Sequence, residues 1–270
     1  MYEYEVRKGE TGLYGLVNKD NGHILLPFVF KQIKMHGSVL WLKRKEKWAI
    51  WSIEEATKIL HKKENGEFVQ RSKYLFFDTE TTGVPDNYKA SASDLDNWPR
   101  LVQLAWVLVD DMGNELALGN DIIRPYGFII PCEVARVHGI TTEYALSKGK
   151  GLYNTLIRFI DAAISADYLV GHNISYDIKV VQAELIRAKF NFSIENKPTI
   201  CTMMNSVQFC AIPSARSYGE KYKWPKLQEL HNKLFGYDFA AAHDAMADIR
   251  ATTRCFFAML DRGVIQVKKY

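Results

Sequence analysis

Cysteine is scarce in this chain, and its spacing suits neither metal nor disulfide chemistry. Cys132, Cys201, Cys210 and Cys255 form no C-x-x-C pair, which argues against a zinc ribbon and against a disulfide-stapled scaffold. No apolar run approaches 18 residues, so no membrane-spanning helix is expected. The first residues, Met1-Tyr2-Glu3-Tyr4-Glu5-Val6-Arg7-Lys8, lack the apolar stretch of a signal peptide, and a reduced, cytoplasmic compartment is the expectation. Neither sign of charge dominates: a net charge of +4 permits a nucleic-acid partner without requiring one. No disordered bias is visible either, since 47% of residues are apolar and 24% charged. At 270 residues the chain is long enough to bury a substantial core in one large domain or two.

The charge that is present is unevenly placed. Residues 1–72 hold 13 Lys/Arg against 9 Asp/Glu, whereas residues 73–270 hold 22 of each, so the basic excess lies wholly at the N-terminal end. That end also repeats itself at an offset of 34 residues: Tyr14 falls on Trp48, Leu16 on Ile50, and Leu25 and Leu26 on Ile59 and Leu60. Asp20-Asn21-Gly22 between apolar runs is a hairpin signal, and Glu54-Glu55-Ala56-Thr57 is a weaker one. The units resemble WG-type β repeats, with Ala49 where the repeat has glycine, and residues 1–68 read as a small all-β module. The basic cluster Lys43-Arg44-Lys45-Glu46-Lys47 precedes Trp48 and Trp51. It reads either as a nucleic-acid contact or, preferred here, as a solvated hairpin tip with core tryptophans. Polar, charged residues 62–72 read as a linker, with the domain boundary at 69–73.

The rest of the chain is organised around Phe76-Phe77-Asp78-Thr79-Glu80-Thr81-Thr82-Gly83. Residues 74–77 are an apolar, aromatic run that predicts a buried strand. Asp78 and Glu80 follow at i, i+2, which on a strand places both carboxylates on one face. Two adjacent carboxylates repel, and either shift a pKa or find a cation. A polar stretch, 86–99, predicts a loop beside them. Strands are predicted at 101–109 and 115–123 and complete an antiparallel meander. Periodicity predicts a helix over 151–166; a short strand at 168–170 then leads into a helix that holds Asp177 in its first turns and continues to about Phe190. Another short strand at Ile200 leads into a helix; further helices are predicted over 226–235 and from 241 to about 261. His243 falls at or just before the start of the last helix and Asp248 inside it, so both can face one pocket.

Four carboxylates thus stand at element ends, with a histidine near the last. Hard divalent cations want such oxygens, and a nearby imidazole suits proton transfer at neutral pH. The residue types fit metal-assisted phosphodiester hydrolysis. Phe77-Asp78-Thr79-Glu80-Thr81-Thr82-Gly83, Gly171-His172-Asn173-Ile174-Ser175-Tyr176-Asp177 and His243-Asp244-Ala245-Met246-Ala247-Asp248 resemble, in order and separation, the three motifs of the DEDDh exonucleases. These are the DnaQ-like 3′→5′ exonucleases, which include the proofreading epsilon subunit of bacterial DNA polymerase III. The similarity covers residues 73 to about 262.

The resemblance implies an RNase H-like α/β fold over residues 74–262: a mixed sheet flanked by helices, preceded by the β module and followed by a tail, 263–270. It implies two Mg2+ or Mn2+ ions held by Asp78, Glu80, Asp177 and Asp248, with His243 as general base. It implies contacts to the terminal nucleotide from Thr81, Thr82, Gly83 and Asn173, and from His138 in a family segment near the substrate. His172 is expected to support its turn. The implied partners are 3′ ends of single-stranded DNA, or of RNA, and a polymerase subunit, but no membrane. The β module lies outside the resemblance.

Overall fold

The computed structural model describes residues 4–9, 12–19, 24–36, 39–44, 47–53, 72–215, 221–239 and 245–267. The chain divides into two compact units, Met1–Gln70 and Arg71–Tyr270. None of the described helices is long and apolar enough to cross a membrane.

The first unit is built of antiparallel strands. β1 (Tyr4–Lys8), β2 (Tyr14–Asn18) and β3 (Ile24–Phe30) form one sheet; β4 (Gln32–His36), β5 (Val39–Arg44) and β6 (Lys47–Ser52) form another. β2 and β3 pair antiparallel, as the apolar runs around Asp20-Asn21-Gly22 predict. The turn itself, and residues 54–70 of the second repeat, lie outside the described residues. Leu16, Phe30, Ile33, Leu40 and Leu42 form a small shared core.

The second unit is a five-stranded mixed sheet between helical layers. Its strands are β7 (Lys73–Thr81), β8 (Leu101–Asp110), β9 (Glu115–Ile122), β10 (Tyr168–Gly171) and β11 (Thr199–Cys201), in the order β11-β10-β7-β8-β9. β7, β8 and β9 are the antiparallel meander, and β10 and β11 add parallel to β7. β8 is buried along its whole length because both of its faces are covered, while β9, at the edge, is largely exposed. Gly119 lies where the Trp106 indole crosses β9; a Cβ there would meet the ring at 2.4 Å.

The helices are α1 (Cys132–His138), α2 (Thr142–Lys148), α3 (Leu152–Ser165), α4 (Ile174–Arg187), α5 (Thr202–Cys210), α6 (Leu227–Phe235) and α7 (Ala245–Asp261). Alternation along β7 splits the core in two. Leu75 and Phe77 pack with Leu156, Phe159, Ile174 and Ile178 of α3 and α4. Tyr74 and Phe76 pack with Ile249 and Phe256 of α7 and Leu230 of α6. Continuing that alternation, Asp78 and Glu80 emerge on the α7 side. Ile265, beyond α7, is buried against the same core. α1 and α2 are helices that periodicity does not predict; at seven residues each they carry too few repeats for a signal.

Candidate active site

β7 outlasts its parallel neighbour. β10 pairs with it only as far as Phe76, so the β7 edge beyond is open to other groups. Asp177, in the first turn of α4, fills the gap. Its Oδ1 accepts hydrogen bonds from Thr79 N at 3.0 Å and from Thr79 Oγ1 at 2.7 Å. The carboxylate is 4% exposed. Burial pushes its pKa up to about 7, against the opposing pull of the two Thr79 donors.

The strand-to-helix turn that delivers Asp177 is braced by its neighbours. His172 Nε2–H donates to the Pro225 carbonyl at 2.9 Å, and its Nδ1 lies 3.0 Å from Thr202 Oγ1. Burial lowers this imidazole to about 4, the Pro225 carbonyl only partly offsetting it, so the ring is neutral and supports the turn, as expected. Asn173 follows in the left-handed region, φ 68°, as the exposed N-cap of α4. Asparagine accepts that conformation more readily than most residues.

Asp78 lies at the centre of the acids. Burial, and then the negative charges of Asp177, Glu80 and Asp248, raise its carboxyl well above the usual carboxylate range. The first motif, α4 and α7 therefore bring all four expected carboxylates into one electrostatic field. Among the described residues no three His, Cys, Asp or Glu groups are already drawn together as a coordination shell. The fifth expected member, His243, lies outside the described residues, as does Asp244.

The expected substrate-side residues are also placed. Thr81 Oγ1 donates to Gly83 O at 2.6 Å and lies 2.7 Å from the Tyr176 hydroxyl, which itself lies 3.0 Å from Gly83 O. Thr82 N–H donates to Arg100 O, and its Oγ1 accepts from Arg100 N, both at 3.0 Å; this closes the base of the loop 83–99. Open space surrounds the position a side chain on Gly83 would take. His138 ends α1, with Gly139 in the left-handed conformation behind it. Its Nδ1 accepts from Ile140 N at 3.1 Å. Its buried Nε2 has no partner at hydrogen-bonding distance. Burial lowers this ring's pKa, and the nearby Thr81 backbone partly offsets the effect. His138 and the end of β7 thus adjoin, though 57 residues separate His138 from Thr81 in the chain.

Two supports escaped the sequence reading. Glu184, fully buried, accepts from Arg100 Nε at 2.7 Å, Leu101 N at 3.1 Å and Arg187 Nη1 at 3.0 Å. Arg187 also donates to the Leu95 and Trp98 carbonyls, at 2.5 and 2.7 Å. This clamp pins the loop 84–99 to α4, beside Tyr176. On the other side of the sheet, His231 is buried between Phe235, Tyr237 and Phe239. Its Nδ1–H donates to the Tyr237 carbonyl at 3.0 Å, and its Nε2 accepts from Arg254 Nη2 at 3.2 Å. That bond ties α6 to α7, the helix that carries Asp248. A buried glutamate and a buried histidine inside amphipathic helices give little local signal, because the partners that tie them to other elements, Arg100 and Arg254, lie 84 and 23 residues away.

Residues 75–256 match the family RNase_T, described as exonuclease. No curated protein matches the chain. Among solved structures, E. coli Exonuclease I in complex with a dT13 oligonucleotide superposes with a TM-score of 0.54 at 21% identity, covering 71% of this chain and 41% of that one. The zinc-ion-bound form of the E. coli Exonuclease I–ssDNA complex gives the same figures. Apo Exonuclease I gives 0.52 at 19% identity, with 71% and 42% covered. The chain spans about two fifths of the length of Exonuclease I, and at this identity the likeness concerns the RNase H-like fold. With the family match extending over more than half of its residues, the chain belongs to the RNase_T exonuclease family of DnaQ-like proteins.

Proposed function

We propose that this protein is a divalent-metal-dependent 3′→5′ exonuclease that hydrolyses the terminal phosphodiester of a nucleic acid and releases 5′-nucleotides. What supports the reading is the electrostatics of Asp78: burial first, and then the negative charges of Asp177, Glu80 and Asp248, raise its carboxyl pKa. Holding the buried Asp177 carboxylate beside three further acids is costly unless a cation joins them. The donor set is entirely oxygen, which fits Mg2+ or Mn2+. Asp78, Glu80, Asp177 and Asp248 would hold the ions. When bound, such ions offset the charge of the phosphodiester and lower the pKa of water.

The chain's own residues do the rest. Thr79 holds Asp177 in place through two hydrogen bonds. His243 takes the proton of the attacking water, acting at neutral pH as histidine can. Thr81, Thr82, Gly83, His138 and Asn173 line the place of the terminal nucleotide. Exonuclease I, of the same fold, has been captured with dT13 and dA16, so single-stranded DNA is the first substrate to try and RNA the second. Association with a polymerase subunit, as the likeness to epsilon implies, is a separate proposal tested by co-purification.

The test uses a 5′-labelled single strand with Mg2+ or Mn2+. A ladder shortening from the 3′ end is expected, with Asp78→Asn slower by at least about a thousandfold, on the order of 4 kcal/mol of barrier. His243→Ala should lower kcat far more than it weakens binding. Equal rates for wild type and Asp78→Asn, or shortening from the 5′ end, would refute the reading.

A further inference from the structure

The second N-terminal sheet has two faces of different chemistry. Along β5, buried Leu40 and Leu42 alternate with Val39 and Trp41, which point the other way and are exposed. The register sets Lys34 and Ile50 directly beside Trp41, and Gln32 beside Lys43. Gln32, Lys34, Trp41, Lys43 and Ile50 therefore share the outward face, and none of them is acidic. Trp41 is 39% exposed and Ile50 48%. A tryptophan serving only as core would lie with Leu40 and Leu42. The side chains of Trp48 and Trp51 lie outside the described ones.

Residues 1–72 carry 13 Lys/Arg against 9 Asp/Glu, and on this face the described charged residues are Lys34 and Lys43. The 198 residues from 73 onward are balanced, with 22 of each sign. Strand geometry puts the backbone of Lys34 about 5 Å from that of Trp41 across the sheet, and Lys43 about 7 Å along the strand. An exposed aromatic ring with lysines at those spacings can stack a base and hold the phosphates on either side. An apolar protein partner would find two lysines within the patch.

We propose that the outward face of β4–β6 is a second, non-catalytic site for single-stranded nucleic acid, in which Trp41 stacks a base and Lys34 and Lys43 engage neighbouring phosphates. The full chain is titrated against 5′-fluorescein dT20 by anisotropy in EDTA, where hydrolysis does not compete. Trp41→Ala should weaken binding about tenfold or more, and Trp41→Phe should recover most of it. Lys34→Gln with Lys43→Gln should reduce the slope of log affinity against log salt by about 1.4. Circular dichroism of each variant checks that the sheet persists. Binding by Trp41→Ala within twofold of wild type, with an unchanged salt slope in the lysine pair, would overturn the proposal. So would unchanged DNA binding accompanied by loss of self-association, which would make the face a protein interface. A wild type that binds here but hydrolyses nothing would refute the exonuclease proposal and leave this one standing.

Discussion

Replacing Asp177 by asparagine should make the metal-free protein more stable while disabling it. Asparagine is isosteric, and its Oδ1 can still accept from Thr79 N and Thr79 Oγ1. What it removes is a buried negative charge beside Asp78. The Asp177 pKa stands at about 7 against an ordinary 3.8. Between those values the folded state binds more protons than the unfolded, so stability falls as pH rises, and the whole cost is present above about 7. Roughly three units at about 1.4 kcal/mol each give an upper figure on the order of 4 kcal/mol. Because the shift comes from burial, water penetration and local relaxation would leave about 1–3 kcal/mol of it, or several degrees in Tm.

The pH trend of wild type alone is a poor readout, because His172 pulls the other way. Its folded pKa of about 4 lies below the ordinary 6.5, so its contribution is lost as pH falls through that window. Both proteins carry His172, and it cancels in their difference. The assay is therefore Tm of wild type and Asp177→Asn in EDTA at pH 8 and pH 5. Asp177→Asn should melt higher at pH 8, and the gap should shrink at pH 5. Saturating Mn2+ should raise wild type and move the variant little. A variant equal to or below wild type at pH 8, or a gap independent of pH, would refute the account of the acidic cluster.

Other outcomes follow from neighbouring contacts. Glu184→Ala strands the Arg100 and Arg187 guanidinium groups that converge on it, and should cost about 3–5 kcal/mol in urea unfolding, with Glu184→Gln costing less; a loss under about 1 kcal/mol would mean that the clamp is idle. His172→Gln removes the buried neutral ring and should flatten the loss of stability between pH 6.5 and 4, which urea midpoints at pH 7, 5.5 and 4.5 would detect. Gly119→Ala places a Cβ against the Trp106 indole and should cost about 1–3 kcal/mol; a change within about 0.5 kcal/mol would show that the ring can move aside.

Much of the exonuclease unit was legible because its signals are local. The apolar run before Asp78 reads as a strand, and it is one, continuing to Thr81. The spacing of Leu152, Leu156 and Phe159 reads as a helix and forms Leu152–Ser165. Asp78 and Glu80 share a face by strand geometry alone, and three short motifs sufficed to name a family. Periodicity overran the helix ending at Arg187, where Lys189 at φ 59° marks the turn away. It also missed two seven-residue helices that hold their place through Thr141, Gly139 and a small cluster around Ile140 and Ala145.

What sequence determined by itself was which residue types stand at which element ends. Tertiary structure decided which of them meet. Thr79 and Asp177 are 98 residues apart, and they touch because β10 stops short and leaves the β7 edge open. Arg100 and Glu184 are 84 apart, and Trp41 faces outward only because Leu40 and Leu42 claim the core. Such pairings leave no trace in local periodicity, since hydrophobic burial fixes a backbone's faces before any charged partner is chosen.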